Sequence, residues 1–164
     1  MKRKTLCLFE SIGFQVPGEP MAMPRARIAT RGKFARMYTP EAAVSHKTAV
    51  QWAWTKAVSV HKFKPPMDAI VRIAITVYRT LPKSAPKWMK ALVDEFEGTL
   101  GVASSVPCQT KPDWDNYGKL VSDALNGIAY RDDGQVFKGT VEKCYASTAY
   151  TYVSVEYYRW EDEA

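Results

Sequence analysis

The chain has 164 residues, 46% hydrophobic and 24% charged, enough to bury a core without disulfides or a structural metal, and unlike the composition of a disordered chain. The longest apolar runs are too short for a membrane span. The basic start is followed only by the short apolar run 6–9, which meets Glu10, so no signal peptide is read and a single cytoplasmic domain over residues 1–164 is expected. Charge is unevenly held: residues 1–90 carry 17 Lys and Arg against 4 Asp and Glu, residues 91–164 carry 6 against 13. The first half therefore suits a polyanion such as nucleic acid, which the second would repel unless its carboxylates hold cations.

Along the chain, Ile12, Phe14 and Val16 alternate before Pro17-Gly18 and predict a first strand. Residues 20–38 are rich in Pro, Arg and Gly and carry Arg25, Arg27, Arg31, Lys33 and Arg36; a loop or ragged hairpin is expected. Thr39-Pro40-Glu41 has the form of an N-cap, an N1 proline and an acidic first turn, opening a helix to about Val58. Val71, Ile73, Ile75 and Val77 make a period-2 strand. Ser84-Ala85-Pro86 opens a shorter helix to about Phe96, and residues 97–111 form a long irregular connection of the kind that tends to carry function. From Pro112, Tyr117, Leu120, Val121, Ala124 and Leu125 follow the i, i+3, i+4, i+7, i+8 template, and Asn126-Gly127 stops the helix. Strands over 135–145 and 148–158 close the chain. In the second, Ala149, Thr151, Val153, Val155 and Tyr157 point one way, and Tyr150, Tyr152, Tyr158 and Trp160 the other. The order β-α-β-α-α-β-β predicts an α/β or α+β domain with a mixed sheet flanked by helices.

Cys7, Cys108 and Cys144 are far apart, no CxxC occurs, and His46 and His61 are the two histidines. A zinc site is not expected, and the thiols read as reduced. The chemistry is concentrated in residues 111–136, which hold Asp113, Asp115, Asp123, Asp132 and Asp133. With a helix starting near Asp115, Asp115, Lys119 and Asp123 fall within about 80° of one another, opposite the apolar stripe. Asp113 stands just before it, and a turn after Gly127 would bring up Asp132 or Asp133. Carboxylates packed together raise one another's pKa or take up a cation. Oxygen-only ligands favour Mg²⁺ or Mn²⁺, and such ions support phosphodiester hydrolysis, with Lys119 as a point charge on the phosphate.

Plainer readings stand beside this one. Asp115 could be a helix cap, Lys119 and Asp123 a solvated i, i+4 ion pair, and Asp132-Asp133-Gly134 an ordinary turn. An EF-hand is rejected because Tyr117 and Ala124 occupy places that need oxygen ligands. A glycosidase carboxylate pair gives the basic half no role.

Lys111-Pro112-Asp113, Asp115-Asn116, Lys119, Asp123-Ala124-Leu125-Asn126-Gly127 and Asp132-Asp133-Gly134-Gln135-Val136 resemble the signature of the RusA family of Holliday junction resolvases in order, spacing and identity. A looser likeness covers the first strand, the Pro-Arg-rich stretch and the Tyr38-Thr39-Pro40 helix start; residues 80–110 match poorly. The resemblance implies a homodimer with a mixed sheet and two active sites, nicking four-way branched DNA in pairs with Mg²⁺ and no small-molecule cofactor, in recombination and repair. It implies Asp113, Asp115 and Asp133 as the acids and Lys119 as the essential cation, with Asp123 and Asp132 at positions of less certain role. Arg25, Arg27, Arg31, Lys33, Arg36 and Lys111 are then expected on DNA phosphates. Tyr150, Tyr152, Tyr158 and Trp160 are expected against a helix or second subunit, base stacking being the alternative. The competing functions are a less selective flap or branched-DNA nuclease and a non-catalytic DNA-binding protein.

Overall fold

The structure is a computed structural model that describes residues 3–24, 27–31, 34–38, 40–99 and 106–163, with 27–31 and 34–38 described as backbone. The alternating segments become strands with one buried face. β1 (Lys4–Pro17) sends Ile12, Phe14 and Val16 inward. Two antiparallel pairings then set Val71, Ile73, Ile75 and Val77 of β4 (Ile70–Thr80) beside Thr151, Val153, Val155 and Tyr157 of β7 (Tyr150–Asp162) in one buried layer. With the two-residue β5 (Val106–Pro107) and with β6 (Val136–Ala146) these strands form a five-stranded mixed sheet. Its order is β1-β7-β4-β6-β5, in which β4 and β6 run parallel. β2 (Arg27–Arg31) and β3 (Phe34–Tyr38) make a separate antiparallel ribbon.

The predicted α+β class and mixed sheet are present, with the ribbon and β5 added to the predicted order. β1 starts at Lys4 rather than near Ile12. Its first half pairs with the exposed end of β7, and a register shift between Leu8 and Glu10 breaks the alternation that would have announced it.

Helix α1 (Glu41–His61) runs past Val58 to His61, where Lys62 turns into the left-handed region at φ 51° and its N–H bonds the Ser59 carbonyl. Pro40 stands at the cap, not the first helical position, and Thr39 lies outside the described residues. α2 (Lys87–Asp94) is shorter than predicted and passes into a π-helical turn, Glu95–Thr99. α3 (Trp114–Leu125) begins one residue before Asp115, so Asp113 holds the cap position expected for Asp115. Gly127, at φ +80°, takes the chain away from it.

α1 and α3 cover the same face of the sheet. α1 contributes Ala43, Val50, Ala53 and Trp54, and α3 its whole predicted stripe of Tyr117, Leu120, Val121, Ala124 and Leu125, all buried. Phe14 meets Trp54 edge-on at 5.7 Å. Each large side chain so buried contributes about 1.5–3 kcal/mol, which is why the stripe, rather than helix propensity, sets the position of α3.

Gly118 sits mid-helix, where glycine costs about 1 kcal/mol relative to alanine. Its reason is contact: a Cβ there would lie 2.7 Å from Cγ2 of Val141 on β6. Gly118→Ala is therefore expected to lower unfolding free energy by about 1 kcal/mol, the clash outweighing the gain in propensity. In urea titrations, Gly118→Ala with Val141→Ala should lose less than the two single changes summed. A Gly118→Ala variant more stable than the parent would contradict the close approach.

Candidate active site at the start of the third helix

Asp113 has extended backbone (φ −68°, ψ 146°), yet its side chain does not cap α3. An N-cap aspartate ordinarily accepts a first-turn N–H; Asp113 makes no such bond. Asp115 follows in the first turn, and Lys119 lies one turn further on, both exposed. None of Asp113, Asp115, Lys119 and Asp133 enters an ion pair among the described residues. Asp115 borders a groove of about 230 Å³ between α3 and β6, with Trp114, Gly118 and Ser122 on the helix side and Gly139, Thr140 and Val141 on the strand side.

The other two acids are engaged. Asp123 accepts from Lys47 of α1 at 3.2 Å, so the Lys119–Asp123 pair that helical spacing allows does not form. Asp132 accepts the Gly134 N–H at 2.8 Å. Gln135 returns the bond by accepting the Arg131 and Asp132 N–H groups while its amide donates to the Ala69 carbonyl. This reciprocal capping box builds the 3-10 turn Asp133–Gln135 and leaves Asp133 exposed on it. Asp132 is thus engaged within the turn it caps. Among the described residues no three Asp, Glu, His or Cys side chains stand close enough to hold one ion.

Behind these acids lies Tyr130, fully buried, its hydroxyl donating to the Ser122 carbonyl at 2.9 Å. Burial pushes its pKa up to about 12. The Ser122 hydroxyl works against the shift, while the charges of Asp133 and Asp123 add to it. The tyrosine stays a neutral donor and ties the connection carrying Asp133 back to α3.

The basic ribbon is rooted at the same place. Met21, Ala22 and Met23 pack against the core, and the Met23 N–H donates to the Asn116 carbonyl of α3 at 2.8 Å. The β2–β3 register pairs Arg27 with Tyr38, Ala29 with Arg36 and Arg31 with Phe34, which puts positions 27, 31 and 36 on one face. Arg25 and Lys33 lie outside the described residues, and Lys111 is exposed just before Asp113.

Of the aromatic row of β7, Tyr150 stacks on Tyr78 at 4.4 Å and Tyr158 meets Phe137 edge-on, both along the sheet instead of under a helix, while Tyr152 and Trp160 are exposed.

Three residues at the site carry no sequence signal of their role. Trp114, 60% exposed, stands between the two free acids. Arg79 and Lys143, from β4 and β6, bond the backbone just ahead of Asp113. Exposure of a tryptophan could be read only from its place outside the apolar stripe, and a side chain bound to backbone carbonyls leaves no pattern in the sequence.

Compared with known proteins, residues 17–156 match the family model described as Endodeoxyribonuclease RusA. The chain is 34% identical over 137 residues to the uncharacterized protein YqaN of Bacillus subtilis (strain 168), covering 84% of this chain and 89% of that one.

The tyrosine gives a pH dependence. The folded state holds the Tyr130 proton more tightly than the unfolded chain, so its contribution is whole below pH 10 and is lost as pH rises through about 12. Urea titrations on both sides of pH 10 should show Tyr130→Phe losing stability less steeply than the parent. Equal slopes would remove Tyr130 from the alkaline transition.

Proposed function

The chain belongs to the RusA endodeoxyribonuclease family, and from that premise we propose that it resolves four-way DNA junctions by paired hydrolysis of phosphodiester bonds. In this reading it acts as a homodimer with one site per subunit, uses Mg²⁺ or Mn²⁺, and serves recombination and repair. The observation that carries the proposal is the pairing, at one end of α3, of two unengaged carboxylates with the root of an arginine-bearing ribbon. No helix among the described residues is long and apolar enough to cross a membrane.

The donor set suits a hard cation, being oxygen-only with no side-chain partner of its own. Mg²⁺ is commonly held by one or two carboxylates plus substrate phosphate oxygens, not by an all-protein cage, and the start of α3 offers two. Asp113 and Asp115 would hold the ion, with Asp133 on the turn beyond α3 as the next carboxylate. When bound, the cation would neutralise phosphate charge and acidify water.

The rest falls to the chain itself. Lys119, one helical turn from Asp115 and in no ion pair among the described residues, offers a point charge to the phosphate oxygens as negative charge builds in the transition state. Arg27, Arg31 and Arg36, with Arg25, Lys33 and Lys111, would grip phosphates and set the duplex arms. Asp123, held by Lys47, and Asp132, spent on the capping box, support α3 and the Asp133 turn and do not meet the substrate.

Asp113→Asn and Asp115→Asn should each cut nicking of a synthetic four-way junction in Mg²⁺ by about a hundredfold or more while binding survives. Asp123→Asn should keep most of the activity. Near-normal cleavage by either of the first two sinks the site. Rates on junction, fork and linear duplex separate a resolvase from a broader nuclease, and no Mg²⁺-dependent product on any of them would mean a non-catalytic DNA-binding protein. Junction affinity should fall steeply with salt, and each of Arg27→Ala, Arg31→Ala and Arg36→Ala should flatten the log–log slope by about 0.9. An unchanged slope removes that arginine from the phosphate contacts.

A further inference from the structure

We infer that Arg79 and Lys143 are positioning residues for the Asp113 carboxylate, acting through the three backbone carbonyls that precede it. The inference rests on the reading of Asp113 and Asp115 as the reacting acids. Lys143 Nζ donates to the Thr110 carbonyl at 2.6 Å and to the Pro112 carbonyl at 2.8 Å. Arg79 donates to the Lys111 carbonyl between them at 2.8 Å and to the Thr110 hydroxyl at 3.3 Å. Three consecutive carbonyls, 110, 111 and 112, are thus pinned by two cations. Parallel pairing sets Lys143 opposite Val77 and Tyr145 opposite Arg79, so both cations rise from the same face of the sheet, two residues apart.

Simple satisfaction of those carbonyls does not account for this arrangement. Residues 109–113 are exposed, and water would serve the same oxygens. Lys and Arg lose more side-chain freedom on fixing than almost any other residue. Lys143 moreover has no carboxylate partner among the described ion pairs, whereas Arg79 is paired to Glu19 at 3.2 Å.

Position is what the grip supplies. Asp113 does not use its side chain to cap α3, so the bond that normally fixes an N-cap aspartate is missing. Something else must set the chain direction into the helix. With the carbonyls on either side of Lys111 and Pro112 held, the backbone entering Asp113 is fixed and its carboxylate stays outward. Glu19 extends the grip to the chain leading into the ribbon, since it also accepts from Thr80 at 3.3 Å.

The test compares the parent with Lys143→Met, Lys143→Arg, Arg79→Lys and Asp113→Asn. It uses single-turnover cleavage of a synthetic four-way junction, junction affinity, thermal unfolding, and binding of Mn²⁺ alone to the DNA-free protein, read from the electron paramagnetic resonance of the free ion. Lys143→Met should keep Tm within a few degrees and junction affinity within about threefold, while cleavage and Mn²⁺ affinity each fall about ten- to a hundredfold. Lys143→Arg, which keeps two donors, should recover most of both, and Arg79→Lys should fall between. Parental cleavage and Mn²⁺ binding in Lys143→Met, beside an inert Asp113→Asn, would overturn the positioning role alone. Losses that merely track lost folded protein would overturn it too. Parental cleavage and Mn²⁺ binding in Asp113→Asn would overturn the underlying site, and this inference with it.

Discussion

Helix α3 lies on the sheet at a depth set by two opposed requirements. Its apolar stripe, from Tyr117 to Leu125, must be buried between α1 and β6, and Gly118 removes the one side chain that would hold it away from Val141. The candidate site is built around that helix. The two free carboxylates stand at its start, the groove beside Asp115 is the space left along its flank, and the ribbon is bonded to its first turn. A shift of α3 by a fraction of an ångström would move all three together, and close packing makes such shifts costly.

The acids of residues 111–136 divide by what surrounds them. Asp123 has a lysine from another helix and Asp132 has backbone N–H groups, so each is satisfied within the protein. Asp113, Asp115 and Asp133 are exposed and, among the described residues, enter no ion pair. Carboxylates left unpaired beside a basic ribbon gain nothing for folding. That arrangement is understandable where the ligand arrives from outside with phosphate charge and its counterions. The opposite charges of the two halves of the sequence meet in part within the protein itself, where Lys4–Asp162, Lys47–Asp123 and Arg72–Glu156 each join a base from the first half to an acid from the second.

Much of this was legible in the order of residues. Strict alternation marked Val71–Val77 and the inner row of β7, and helical spacing marked all five buried residues of α3, because both patterns record burial on one face. Asn126-Gly127 marked its end, since the chain needs a positive φ there. The start of α3 was displaced by one turn-forming residue because Asp113 and Asp115 are equally good caps by type, and only three dimensions show that Asp113 takes the place without the bond. β5 was invisible at two residues, and the first half of β1 was hidden by its bulge. Arg79 and Lys143 were beyond reach for another reason: their partners are main-chain oxygens, which every sequence has.

The attachment of the ribbon has a mechanical side. Only residues 24–26 separate the Met23 amide, bonded to Asn116, from the first residue of β2, and Glu19 fastens the preceding stretch to Arg79. The approach to the ribbon and the leading turn of α3 thus share one amide–carbonyl tether, and any tug on Met23 reaches the helix through it.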